Sequence, residues 1–160
     1  MAVQNQLSVR PLGPNWRFEK YPEAASQSFL AGEFVKLVSG KATVCADDET
    51  TIAGIAMEAA SGTTDTDILI AVPSAGARMV SSVYHSTAAS AITAVTQPTT
   101  RYGLQVESNK HYIDIEDTSN LAFLARKIVL PAGHKVGDQY GQLEFEILDE
   151  VNQLSGRDNA

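Results

Sequence analysis

Asp114, Glu116 and Asp117 are the residues of this chain whose types and spacing come nearest to chemistry. On a strand, Asp114 and Glu116 share one face about 7 Å apart, at a rise of ~3.4 Å per residue. Two carboxylates at that separation are compatible with general acid–base work on a glycosidic bond. The same run, HYIDIED, also sets Ile113 and Ile115 against Asp114 and Glu116. That alternation describes a half-buried strand with one wet face, and it is the simpler reading.

The other candidates fall short of a motif. Asp65 and Asp67 in GTTDTD carry part of a calcium-loop pattern, but no spaced Asp/Asn series ending in glutamate follows. A turn in which Asp and Thr side chains satisfy their own backbone is expected there. Asp47-Asp48-Glu49 reads as a solvated hairpin end. His85, His111 and His134 lack the spacing of zinc ligands, and neither HExxH nor CxxC occurs. They read as surface or strand-end histidines. Cys45 is the single cysteine, so it forms no internal disulfide; within an apolar strand it reads as a buried, inert thiol. There is no GxSxG elbow, and GHKVG (133–137) has neither the spacing nor the trailing hydroxyl of a phosphate loop. The sequence therefore predicts no catalytic residue, no metal site and no cofactor, and a chain that is not an enzyme.

The elements that would position these residues are short β-type runs broken by turns. EFVKLV (33–38), ATVCA (42–46), TIAGIAM (51–57), DILIAV (67–72), ARMVSSVY (77–84), RYGLQVE (101–107), HYIDIED (111–117) and QLEFEIL (142–148) all read as strands. Gly54 inside TIAGIAM signals a bulge or a backbone passing close by. STAASAITAV (86–95) is ambiguous between a helical turn and a strand. LAFLARKIVL (121–130) has the best helical composition, although IVL-Pro-Ala-Gly also reads as a strand entering a turn. Such spacing without long amphipathic helices predicts an all-β single domain, a small β-barrel or β-sandwich of jelly-roll type.

Composition narrows the function classes. The 160 residues are 44% hydrophobic, enough for one core. Twelve Lys and Arg against nineteen Asp and Glu give a net charge of −7, which disfavours nucleic-acid binding. No apolar run approaches a membrane span, and the opening MAVQNQLSVRPLGP lacks the apolar region of a secretory leader.

Residues 1–30 differ from the rest and read as an extended N-terminal arm ahead of a β-rich body (31–150) and a flexible tail (151–160). The arm holds Pro11, Pro14 and Pro22, which favour extended backbone. It also holds Trp16, Phe18, Tyr21 and Phe29, which need a cover supplied either by the same chain or by another. Residues 1–20 carry +2, so the other 140 carry −9. Trp16, Phe18 and Tyr21 are the expected partner-binding anchors, with Arg10 and Arg17 pairing to carboxylates. Val3 to Val9 is the stretch best suited to adding a strand to a neighbouring sheet.

GEFVKLVSGKAT leads to IAGIAMEAASG and then to an apolar strand (30–80). This arrangement resembles small capsid decoration, or cement, proteins of tailed bacteriophages, and RYGLQVESNKHYIDIEDTSN (101–120) is similar to phage head proteins of this kind. The resemblance implies a compact β-fold in many copies on the capsid exterior of a virion, after synthesis in the host cytoplasm. It implies the major capsid protein as partner and a homo-oligomer, dimer or trimer. It carries over no catalytic residue. The competing readings are another virion component such as a tail or head-fibre base, and a carbohydrate-binding β-sandwich using Tyr84, Tyr102, Tyr112 and Tyr140. A glycoside hydrolase using Asp114 and Glu116 ranks last.

Overall fold

The computed structural model describes residues 9–108, 110–130, 132–139 and 141–154. Among them the chain is all-β, with two sheets packed together as a sandwich. The first sheet contains β1 (Arg10–Leu12), β7 (Arg78–Tyr84), β8 (Arg101–Glu107), β9 (Lys110–Asp114), β10 (Phe123–Val129) and β11 (Gln142–Ile147). Its order is β1-β7-β11-β10-β8-β9, and a parallel pairing of β9 with β7 returns the ladder to its second strand. The second sheet is antiparallel, in the order β2-β6-β5-β3-β4. It contains β2 (Trp16–Pro22), β3 (Phe34–Val38), β4 (Lys41–Val44), β5 (Gly54–Ala56) and β6 (Asp67–Pro73).

The second sheet buries both faces, which explains why its strands read as continuous apolar runs. Ile68, Ile70 and Val72 of β6 point into one cluster with Val35, Ala42, Ala56 and Phe29. Ala71, with Phe34 and Ile55, points the other way into the core shared with the first sheet. The period-2 rule thus divides each strand between two cores. In β11, Leu143 and Phe145 face the shared core. Glu144 and Glu146 turn outward to Arg78, at 3.3 and 3.6 Å.

Three sequence expectations meet the structure differently. LAFLARKIVL forms a strand, β10, despite its helical composition. Phe123 and Ala125 both belong to the shared core, and the register shifts between Ala125 and Lys127. Arg126 lies at that shift and its guanidinium reaches Glu146 at 2.9 Å. Tertiary packing overrides propensity here. STAASAITAV resolves into one 3₁₀ turn, Ala88–Ser90, and a bridge from Ile92 to Gln139. Gly54 follows the second expectation for it: a β-carbon would run into the carbonyl of Ala71 on the neighbouring strand.

The described part of the expected arm lies in both sheets. β1 pairs with β7, and β2 pairs with β6 over seven consecutive residues. Phe29 is buried in the second cluster. Of the arm's aromatics, Trp16, Tyr21 and Phe29 thus find cover on their own chain, whereas Phe18 stays exposed. The expected tail begins inside the fold as well. Val151 and Asn152 are buried. The Gln153 side chain accepts the N–H of Leu37 and donates to its carbonyl, both at 2.8 Å. Residues 155–160, and Val3 in the expected strand-adding stretch, lie outside the described residues.

Replacing Gly54 with alanine is expected to destabilise the chain by more than about 2 kcal/mol, because backbone opposes the added carbon. Urea unfolding of the variant beside the wild type measures this loss, and an unchanged midpoint would refute the clash.

Candidate functional site

The residues expected to bind a partner lie mainly on β2, and its hydrogen-bond parity fixes what they offer. Ser74 N–H donates to Asn15 O at 2.9 Å, and Glu23 N–H donates to Thr66 O at 2.8 Å. With an unbroken register, the odd-numbered residues of β2 therefore turn their backbone groups toward β6. The even-numbered residues, Trp16, Phe18 and Lys20, turn N–H and C=O to the opposite edge. Pro73 stands opposite Trp16, and Pro22 stands opposite Asp67. Neither proline has an N–H, and both occupy pairs that exchange no ladder bond. One turn further on, Ala24 N–H donates to Ala42 O of β4 at 3.0 Å. Along Trp16, Phe18 and Lys20, no strand lies against that edge among the described residues.

The side chains divide by face. Trp16 packs against the shared core and donates its Nε1–H to Leu12 O at 3.0 Å. Tyr21 packs against the second cluster and donates its hydroxyl to Glu19 Oε2 at 2.6 Å. That bond, with burial, raises the tyrosine pKa. Arg17 donates to Leu154 O at 3.0 Å and lies 3.6 Å from Glu19. Phe18 is 58% exposed. Arg10 is exposed on β1 of the other sheet, opposite Val80. Of the five expected contact residues, the structure thus groups four on one strand. It commits Trp16 and Tyr21 to the chain's own packing and leaves Phe18 as the exposed aromatic, beside Arg17 and Lys20.

A cavity of about 350 Å³ lies where the loop before β3 meets the ends of β4, β8 and β9. Phe29, Val44, Glu33, Cys45 and His111 are among its lining residues. Burial raises the Glu33 carboxyl above its ordinary pKa and raises the Cys45 thiol well above its own. The thiol stays protonated, so the cavity holds no activated nucleophile. His111 lies near the start of β9, a strand end as one expectation had it, but it is buried rather than at the surface, and burial lowers its pKa to about 4. Its Nδ1 accepts the backbone N–H of Phe34 at 3.1 Å.

Asp114 and Glu116 do not share a wet face. Asp114 is 7% exposed and accepts the N–H of Glu116 at 2.9 Å, while Glu116 lies past the strand end and takes the N–H and hydroxyl of Ser86. His111, Tyr112, Ile113 and Asp114 point alternately to the two faces of β9 and all are buried, so both faces are covered, one of them by Phe34 of the second sheet against His111. Asp114 instead meets Asp48 and Asp117, with one carboxylate oxygen of each within 4.8 Å of the others. Burial, then the neighbouring carboxylates, raises the Asp48 pKa. Burial also raises that of Asp114. Burial opposes ionisation of Asp117, but the N–H groups of Ser119 and Asn120 outweigh it and hold that carboxyl low. These three residues are the group with the reach to hold a cation among the described residues. Sequence spacing gave no sign of the cluster, because Asp48 lies in a different hairpin. Among the described residues, the body tyrosines form no exposed platform for a sugar. Tyr102 and Tyr112 are buried, Tyr84 is half-buried, and Tyr140 lies outside the described residues.

The buried imidazole makes stability depend on pH. Its folded pKa of about 4 lies below the ordinary 6.5. The unfolded chain therefore binds the proton first as pH falls. Stability is full above the unfolded value and declines from there down to about pH 4, by at most about 3 kcal/mol. Glu33 and Asp114, with raised values, act in the opposite sense within part of that window. In a pH series of urea unfolding, His111→Asn should remove the decline that belongs to the imidazole while leaving the carboxylate contribution. A variant curve parallel to the wild type would refute the assignment.

Comparison with protein-family models, with curated proteins and with solved structures finds no match to this chain.

Proposed function

We propose that this chain is a decoration protein of a tailed-phage capsid, a non-enzymatic component that sits on the outer surface of the head and reinforces contacts between major capsid protein subunits. The reading rests on the resemblance of residues 30–80 and 101–120 to such proteins. One structural observation carries it: along Trp16, Phe18 and Lys20 of β2, no strand among the described residues takes the outward backbone groups, which lie beside an exposed phenylalanine. An open edge of this kind is a ready template for another chain, and monomeric β-proteins usually blunt it. β2 offers three N–H and three C=O groups along Trp16, Phe18 and Lys20. Main-chain bonds from such an edge supply affinity, and the alternate side chains supply selectivity. The phenylalanine adds apolar area, and the cations on either side suit an acidic neighbour.

The mechanism is mechanical. Each copy adds a modest contact free energy across a joint in the shell, and the sum must be overcome before the shell opens. Because β2 belongs to the chain's own sheet, the contact residues are held by the body rather than carried on a free arm. Less conformational entropy is lost on docking as a result.

Co-sedimentation with heads assembled without this chain tests the reading. The wild type is expected to bind in numbers approaching those of the shell subunits and to raise the temperature at which heads burst. Phe18→Asp is expected to weaken binding by about 2 kcal/mol, roughly thirtyfold. Heads that bind none of the wild-type chain would refute the function.

A further inference from the structure

We propose that the occupant of the open β2 edge is the same edge of a second copy, paired antiparallel about a two-fold axis through Phe18. The inference rests on the reading of β2 as the adhesive edge and adds the identity of the partner and the register.

Parity limits the choices. Only Trp16, Phe18 and Lys20 present a full set of outward backbone groups, so an edge-to-edge pair must match even-numbered positions with even-numbered ones. The register that places Phe18 opposite Phe18 uses all three. Each Phe18 exchanges both backbone bonds with its counterpart, and each Trp16 does so with Lys20 of the other copy.

The side chains agree with this register on both faces. On one face, Phe18 meets Phe18, the most exposed aromatic of the strand. It is flanked by Lys20 opposite Trp16 on each side, a pairing of ammonium with indole. On the other face, Arg17 stands opposite Glu19 twice. Directly opposed side chains of unlike charge stabilise a sheet, and like charges there destabilise it. Arg17 and Glu19 already lie 3.6 Å apart within one strand and are partly exposed. Pairing would build a square of alternating charge from four groups in place. A shift of two residues would set Phe18 against Lys20 and Glu19 against Glu19, or Trp16 against Phe18 and Arg17 against Arg17. The Phe18-centred register is the one of the three that sets Arg17 opposite Glu19 and brings no like charges together. It is self-complementary, as a two-fold contact requires.

A strand-edge contact is small beside a standard interface, so the dimer is expected to be concentration-dependent in solution. On a shell, the partner is held nearby and the effective concentration rises.

Disulfide trapping reads the register directly. In the proposed dimer, position 18 is opposite itself at a Cα separation of about 5.5 Å, within reach of a disulfide. Position 20 lies about 14 Å from its copy along the strand, beyond reach. Phe18→Cys should therefore give a cross-linked dimer under mild oxidation, and Lys20→Cys should not. Cys45 is buried and does not compete. Sedimentation of the oxidant-free chain should show a monomer–dimer equilibrium. Arg17→Glu is expected to weaken it about tenfold or more, and Arg17→Glu with Glu19→Arg to restore it. Phe18→Pro is a second disruptor, because the N–H it removes makes no bond to β6.

A wild type that stays monomeric at every concentration, with no cross-link at position 18, would overturn the proposal. Equal cross-linking at positions 18 and 20 would overturn the register and with it the proposal. If the chain is monomeric yet Phe18 variants lose head binding, the adhesive edge stands and its occupant is the shell. If the dimer forms but heads are not bound, the pairing stands and the decoration function falls.

Discussion

Phe34 joins the two sheets, and the remainder of the structure depends on that junction. Its ring stacks on Phe123 at a centroid distance of 5.3 Å, and Phe123 meets Phe145 edge-on at 4.8 Å. Its backbone N–H donates to the His111 ring, and its carbonyl accepts the N–H of Cys45 at 2.9 Å. One residue of β3 therefore contacts β9 and β10, is linked through Phe123 to β11, and satisfies its own main chain at the same time. The imidazole stays neutral because burial favours that form, and only a neutral ring can accept this bond. The cavity beside it, lined by Glu33 and Cys45, shares the same desolvated surroundings.

Much of this was legible in the residues. Strong alternation, as in QLEFEIL, and uninterrupted apolar runs, as in DILIAV, mark strands whose faces are set by period-2 packing. Gly54 was readable because the lack of a β-carbon has a structural meaning only where backbone comes close. What could not be read depends on distant contacts. LAFLARKIVL has a helix-compatible composition, and only the demand of Phe123 and Ala125 for the shared core makes it extended. Asp114 looked exposed because the alternation of HYIDIED says nothing about what covers the second face. The approach of Asp48 to Asp114 joins two hairpins whose relative placement no local pattern records.

The expected contact residues illustrate the same division. The types of Trp16, Arg17, Phe18 and Tyr21 suggested an interface, but their allocation between inside and outside follows from β2 lying against β6. Trp16 and Tyr21 point toward cores that exist only once both sheets are in place. Phe18 lies between them on the strand and remains uncovered. Among the described residues the edge is open because β4, which meets Ala24, does not extend along the strand to Trp16. The charge contrast between the first twenty residues and the rest acquires a structural meaning as well, since Arg17 and Lys20 are carried by that edge.

The clasp at the far end of the chain has a consequence for how the protein is made. Gln153 closes on Leu37, and Leu154 receives the guanidinium of Arg17. The second sheet, whose strands all lie before residue 74, thus lacks some of its partners until residues 153 and 154 have been translated. Pairings of such long sequence separation slow folding. Until residues 153 and 154 have been made, β2 and β3 therefore lack contacts that hold them in the finished sheet.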